Sequence, residues 1–419
     1  MKKYIILIAI TCLTLSGMTQ VANTSSVLIG SWAGKLKVGT AALTIVLNVK
    51  QADGYLEFSM DSPDQGAKGL GVYKEYVTDD SVALKLPQIG ATYRAKVNQN
   101  TMVGTFTQMG MNFQLTLNKG TYEVRRPQHP LPPYPYKTEE VVFTNQADQA
   151  TLAGTLTYPI NFNKGNKVPV VVLVSGSGLQ NRDEEIFNHK PFLVIADYLA
   201  RNGIASLRYD DRAFGASTGG NRVHNQATTL DYKRDAAAAI NYLKAQKKFS
   251  SFGVIGHSEG GCIAFMLGRE NIVDFVVSMA GTGVKGDVVL TSQTNAILKA
   301  QGQPTTLTTE QCRQNALTLQ SAWMNWFIDY DPTTDITGTT VPVMAINGTK
   351  DLQVLPSLNL TAIQKALPKN ERTLIKEYAN LNHLFQHCQT GLPTEYNTIE
   401  ETISEDVLKD IANWIHSLF

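Results

Sequence analysis

Phe252-Gly253-Val254-Ile255-Gly256-His257-Ser258-Glu259-Gly260-Gly261 is the stretch that decides how this chain reads. Its first four residues make a short apolar run of the kind a buried strand needs, and from 260 to 269 the pattern turns helical. Between them stands Gly-x-Ser-x-Gly, the signature of a sharp strand-to-helix turn that lifts a serine hydroxyl above a sheet. Gly256 and Gly260 remove side chains that would collide across so tight a turn. The helix that starts there brings its positive dipole end to the same place, which favours developing negative charge. Five residues alone match by chance. The strand before and the helix after give the match its weight and make Ser258 the candidate nucleophile.

Outward from this turn, strand-like and helical runs alternate from about residue 138, the mark of an α/β architecture. Residues 170–174 are continuously apolar, as a parallel strand covered on both faces must be. Residues 191–201 read as a helix, 205–209 as a strand, 228–244 as a helix and 275–279 as a strand. The last strands are expected at 343–346 and 373–378, and a closing helix at 403–418. Residues 282–340 are far too many for a plain connection and read as a helical cap inserted over the active-site end of the sheet. Trp323, Met324, Trp326 and Phe327 either line a substrate pocket there or pack the cap onto the body.

A serine hydroxyl needs a base, and the strand-turn-helix serine is followed in chain order by an acid and then a histidine. Asp351 follows the strand at 343–346, and His383 follows the last strand. Both places suit the catalytic end of an open sheet. His383 would take the proton from Ser258 and return it to the leaving group, while Asp351 holds its tautomer. His257 reads as a structural or pocket residue, and His189 and His224 do not follow the acid. Asp335 is the rival acid, but it lies inside the expected cap. His387 has helical metal-binding spacing from His383 with nothing nearby to complete a site, so no metal is expected.

Two backbone donors are needed for an oxyanion. One is expected from Glu259, the residue after the serine, and the other from the loop Ser175-Gly176-Ser177-Gly178-Leu179-Gln180. Ser177 is the first choice, with Gly178 and Leu179 beside it. The same loop lacks the Lys-Ser/Thr ending of a phosphate loop and the glycine spacing of a dinucleotide site, so no cofactor is expected.

Residues 27–120 are different. Alternating runs at 43–49, 55–60, 82–86, 93–97, 102–107 and 113–117, separated by turn signals, predict a small all-β barrel or sandwich. A Pro-rich stretch at 121–137 reads as a semi-rigid linker. At the N-terminus, Lys2 and Lys3 precede an apolar run and the small residues Ser16 and Gly17, the pattern of a signal peptide over 1–19. A secreted or periplasmic protein without a stable membrane span is the expectation, with lipid anchoring at Cys12 as the alternative. Past that leader three cysteines remain, too few for a disulfide framework, though Cys312 and Cys388 make one conceivable pair. Cys262 reads as a buried apolar residue. A net charge of +1 gives no footprint for nucleic acid.

Several ordered motifs in 138–419 resemble the secreted bacterial α/β-hydrolases of the esterase and serine aminopeptidase-like kind. They are Leu173-Val174-Ser175-Gly176-Ser177-Gly178, Gln180-Asn181-Arg182-Asp183-Glu184, and Leu207-Arg208-Tyr209-Asp210-Asp211-Arg212 with Gly215, Ser217 and Gly219. The serine turn and Asn382-His383-Leu384-Phe385-Gln386 complete the set. The resemblance implies an α/β-hydrolase fold with Ser258, Asp351 and His383 as the triad. Ala213-Phe214 departs from the family's glycine after the arginine, and Leu179 stands where a proline is common.

The leading expectation is a carboxylesterase acting on a small-molecule ester. A peptidase taking short peptides by the same chemistry is the alternative, and would need a carboxylate for the substrate amine, from Glu184, Glu185 or Glu259. A non-catalytic binding protein that uses the β domain is the third. The acyl and leaving-group preference is not legible, because fold does not fix it.

Overall fold

The computed structural model describes residues 27–39, 41–65, 67–78, 80–120, 125–163, 165, 167–223 and 226–419. The expected leader at 1–19 and His224 lie outside them. The chain forms two compact units, divided between Arg125 and Arg126.

The first unit is a closed antiparallel barrel of β1 (Gly30–Val38), β2 (Ala41–Ala52), β3 (Tyr55–Ser62), β4 (Ala67–Val77), β5 (Ser81–Leu86), β6 (Ala91–Val97), β7 (Thr101–Gln108) and β8 (Met111–Lys119). Each strand pairs with the next, and Trp32 and Ala33 of β1 pair with β8 to close the ring. Alternate residues point inward, and Trp32, Leu47, Met60, Tyr93 and Phe106 fill the centre. The Tyr93 hydroxyl, buried there, donates toward the carbonyls of Met102 and Leu115, 3.1 Å from each. Closure depends on Gly34, where a Cβ would stand 2.0 Å from the Thr116 carbonyl oxygen. Two strands were not legible in sequence, β1 and β4, because both carry glycines that break the alternating pattern.

The second unit is an eight-stranded sheet. Its strands are β9 (Thr138–Asn145), β10 (Ala150–Thr157), β11 (Val168–Val174), β12 (Ala205–Tyr209), β13 (Phe249–His257), β14 (Phe275–Met279), β15 (Val343–Gly348) and β16 (Leu374–Tyr378). The order is β16-β15-β14-β13-β11-β12-β10-β9. From β12 to β16 the pairing is parallel, and the β9–β10 hairpin adds an antiparallel edge. The order reverses direction at β11 and β13, which puts a crevice at the carboxyl ends of these strands. Helices α2 (Thr229–Ala245), α3 (Glu259–Arg269) and α8 (Pro356–Ala366) cover one face. On the other lie α1 (Pro191–Arg201) and α9 (Glu405–Leu418). This is the α/β-hydrolase fold.

Between β14 and β15 run α4 (Gly286–Ala300), α5 (Thr309–Leu317), α6 (Ala322–Phe327) and α7 (Thr333–Gly338). Ile336 of α7 joins the main core, so this last helix belongs to the body of the fold. From Arg126 on, the Pro-rich stretch also belongs to the second unit: Arg126 donates to the carbonyls of Ile399 and Asn397, and Tyr136 to Asp197. These anchors tie part of the stretch read as a semi-rigid linker to the second unit. Cys312 and Cys388 are free thiols, so the conceivable disulfide is not formed. No helix among the described residues is long and apolar enough to cross a membrane.

Candidate active site

Ser258 is the single residue between β13 and α3, and its backbone stands at φ 54°, ψ −115°. That is a conformation an L-residue adopts only under constraint, at a cost of about 1–3 kcal/mol. The constraint is visible. The Ser258 N–H donates to Met279 O at 2.8 Å, and its carbonyl accepts from Gly261 N at 2.9 Å. A Cβ at position 256 would lie 1.9 Å from the Gly260 carbonyl oxygen, and one at 260 would lie 2.0 Å from that of Val174. The turn thus exists only with glycine at both places, and it leaves the serine half-buried rather than enclosed.

Asp351 and His383 meet, each on the loop after its strand. Asp351 Oδ2 lies 2.8 Å from His383 Nδ1, while its Oδ1 accepts the N–H groups of Gln353 and Val354 at 2.8 Å. Both side chains are buried. The His383 loop is set by Asn382, whose Oδ1 accepts the N–H groups of Leu384 and Gln386 at 3.0 Å. The His383 ring stands 4.8 Å, centre to centre, from that of His257, the neighbour of Ser258 in the chain. The structure therefore closes the acid–histidine contact and brings His383 against His257, the residue before the serine. Among the described residues it draws no hydrogen bond to the Ser258 hydroxyl, a contact that commonly tightens only with substrate bound.

The other histidines and acids are engaged elsewhere. His189 is held between Thr402 and the Tyr396 carbonyl, and burial pushes its imidazole down to about 4. Exposed His387 pairs with Glu401. Asp335 pairs with Arg269 and Tyr330. Cys262 is buried against Thr282, and burial raises its thiol to about 11. No group of three metal-binding side chains occurs among the described residues.

The loop after β11 passes close by, with the Cβ direction of Gly176 pointing 3.3 Å from Ser258 Cβ. Three carboxylates fix it by its backbone. Gly176 N donates to Glu184 at 2.7 Å, Gln180 N to Asp211 at 2.8 Å and Arg182 N to Asp210 at 2.8 Å. Arg182 also grips Asp210 through Nε and Nη2. Among the described residues the N–H groups of Ser177, Gly178 and Leu179 keep no such partner and remain available. At the start of α3 the N–H of Glu259 is likewise without an intrahelical acceptor. Burial drives the Asp211 carboxyl well above its ordinary range. Sequence reading assigned Asp210 and Asp211 no role beyond a matching motif. Their signal is only a cluster of acids distant in sequence from the loop they hold.

The Glu259 side chain points away from the loop. Its Oε1 accepts from Thr229 Oγ1 at 2.5 Å and from Trp323 Nε1 at 2.7 Å. Burial pushes its carboxyl up to about 7, against the pull of these two hydrogen bonds. Trp323 stacks on Phe327 at 4.9 Å, and Trp326 on Tyr330 at 4.6 Å. These contacts make α6 a packed element fastened to the nucleophile helix. The three acids considered for a substrate amine each have partners within the fold: Glu259 Oε1 has Thr229 and Trp323, Glu184 Oε1 has Gly176 and His257, and Glu185 has Asn181 and Lys190.

Comparison with known proteins follows the same line. Residues 190–320 match the family model described as serine aminopeptidase, S33. The chain is 28% identical over 281 residues to esterase EstD of Thermotoga maritima, covering 63% of this chain and 65% of that one. It therefore spans slightly less than two thirds of that esterase's length. Among solved structures, Est1E of Butyrivibrio proteoclasticus with bound ferulic acid aligns with a TM-score of 0.44 and 17% identity, covering 65% of this chain and 99% of that one. Esterase Pf2001 of Pyrococcus furiosus gives 0.46 and 15%, covering 71% and 99%.

Proposed function

We propose that residues 126–419, an α/β-hydrolase by fold, form a serine hydrolase that cleaves carboxylic esters through an acyl-enzyme on Ser258. The observation that carries this reading is the Asp351–His383 pair, 2.8 Å apart, with His383 packed on His257, the neighbour in the chain of a serine held at φ 54° on a strand-to-helix turn.

In this reading Ser258 Oγ attacks the ester carbonyl carbon as its proton passes to His383 Nε2. Asp351 keeps the other ring proton on Nδ1 and stabilises the imidazolium. The carbonyl electrons move onto oxygen, and the N–H groups of Glu259 and Ser177 donate hydrogen bonds to that oxyanion. Each such donor is worth about 2.7–4 kcal/mol in the transition state. Collapse breaks the bond to the leaving alcohol, which takes the proton from His383. Water then repeats the sequence, releasing the acid and restoring Ser258. No metal or cofactor enters any step.

The ester reading is preferred because Glu184 and Glu259 are buried, each with one carboxyl oxygen committed to hydrogen bonds within the fold, and Glu185 faces the Lys190 cation. The esterase named among the relatives supports it. The family model's description favours aminopeptidase chemistry as the second reading. Short acyl esters compared with aminoacyl anilides separate the two. Ser258→Ala is expected to slow p-nitrophenyl acetate hydrolysis by on the order of 10³-fold or more and to abolish labelling by a fluorophosphonate probe. A variant that keeps the native rate sinks the proposal, and an unlabelled, inactive native protein returns the case to a non-catalytic binding role. Secretion rests on the residues at 1–19, and N-terminal sequencing of the mature protein tests it.

A further inference from the structure

We infer that Glu184 and His257 form a buried carboxylate–imidazolium pair that holds the oxyanion loop and the loop of His383 in register with each other. The inference rests on the serine-hydrolase reading above.

His257 Nδ1 lies 2.9 Å from Glu184 Oε1, and its Nε2 lies 2.9 Å from the backbone carbonyl oxygen of His383. A carbonyl oxygen only accepts. Glu184 Oε1 already accepts the Gly176 N–H at 2.7 Å, the behaviour of a carboxylate oxygen. Beside an ionised Glu184, a neutral imidazole has one N–H and leaves one of these two contacts lone pair against lone pair. With both nitrogens protonated, every contact becomes a donor facing an acceptor. The pair is shut away from water, with Glu184 3% and His257 6% exposed, so an uncompensated charge on either would be severe. Burial works against the charge on His257, but the adjacent Glu184 carboxylate, with Asp351 farther off, carries its affinity for protons above the ordinary value.

The consequence is positional. One carboxylate oxygen fastens Gly176, the residue before Ser177 in the donor loop. Through His257 it also fastens the backbone of His383. His257 itself is the last residue of β13, joined by a peptide bond to Ser258. Oxyanion donor, nucleophile and base thus come from three separate loops that share one ion pair. Glu184 keeps a strained φ of 50° in that place, and its Oε2 is buried without a hydrogen-bond partner among the described residues. Neither Glu184 nor His257 touches the reacting atoms in this account. They are positioning residues, and their loss should appear in kcat rather than in KM, because misplacement of about 1 Å costs on the order of 10²-fold in rate.

The test uses the full chain in two arms. In the first, ¹⁵N-resolved NMR of histidine-labelled protein should show both ring N–H protons of His257 at pH 7. A single N–H tautomer at pH 7 overturns the inference. In the second, Glu184→Gln is measured with p-nitrophenyl acetate, with rates normalised to probe-labelled Ser258. A neutral amide cannot compensate the imidazolium, so kcat should fall about 100-fold with KM within about threefold, and the second His257 ring proton should vanish. A folded variant whose kcat stays within about threefold of native also overturns the inference. Should that variant fail to fold, the NMR of the native protein still decides the pair. A native protein that neither hydrolyses the ester nor takes the label overturns the hydrolase reading instead, and the positioning role with it.

Discussion

Glu259 does two things that pull on its carboxyl in different ways. In the proposed mechanism its backbone N–H meets the developing negative charge, while its side chain is buried between Thr229 and Trp323. Burial dominates, so the carboxyl sits at about 7 in the folded protein against an ordinary 4.5. Below pH 4.5 the group is protonated whether the chain is folded or not, and no penalty applies. Between 4.5 and 7 the unfolded chain releases a proton that the folded protein retains, so stability falls as pH rises. Above 7 the fold carries the full burden, about 3 kcal/mol by the usual conversion of a pKa difference. Glu259→Gln keeps an oxygen for both donors and cannot ionise. Its stability relative to the native protein should therefore improve by about that amount between pH 4 and pH 8. Urea unfolding midpoints of both proteins at pH 4, 6 and 8 check this, and a constant difference across the range would contradict it.

The same residues show which elements can be read before folding. The β13–Ser258–α3 turn was legible because its demands are local: an apolar run, two glycines and a helical pattern within ten or so positions. The order of acid and histidine after it was legible for a similar reason, since each closes a strand. The β9–β10 hairpin was not marked: exposed Val142 sits among the outward polar residues of β9, and β10 is buried along nearly its whole length, Thr155 and Thr157 included. The pinning of the oxyanion loop was invisible too. Asp211 holds the backbone of Gln180 across 31 residues, and only the pairing of β11 with β12 brings them together. At the element scale the firmest prediction concerns Gly256. A methyl group there meets Gly260 O at 1.9 Å and the Gly260 carbonyl carbon at 2.2 Å, backbone atoms that no rotamer change can move. Gly256→Ala should cost upwards of about 4 kcal/mol, read as loss of soluble protein or a large drop in urea midpoint. A variant of near-native stability would mean that the turn is far more yielding than its geometry implies.

At the scale of the second unit, two apolar layers on opposite faces of the sheet supply the bulk of the burial, and a buried polar network ties three elements together. Arg212, fully buried just past β12, donates through Nε and Nη2 to Asp235 of α2 at 2.7 and 2.8 Å, and through Nη2 to Asp148 of the β9–β10 turn at 2.9 Å. It also reaches the backbone carbonyls of Asp231 and Arg222. The antiparallel edge, the long helix and the loop after β12 thus meet at one guanidinium, whose flat five-donor shape a lysine does not reproduce. Arg212→Met keeps volume and removes the cation, leaving Asp235 buried and opposed only by Asn145. Breaking a buried pair from one side costs about 3–5 kcal/mol. Burial already raises the Asp235 carboxyl above its ordinary value despite the arginine beside it. Without Arg212 it must rise further, so the folded variant holds that proton to higher pH than its unfolded chain does. The destabilisation should therefore grow as pH is raised from 5 to 8. Adding Asp235→Asn should recover part of the loss and flatten that pH dependence, because the charge that lost its partner is gone. Urea titrations of the two single variants and the double variant at both pH values form the cycle. Additive single effects with no coupling would show that the three elements are held together by apolar packing alone.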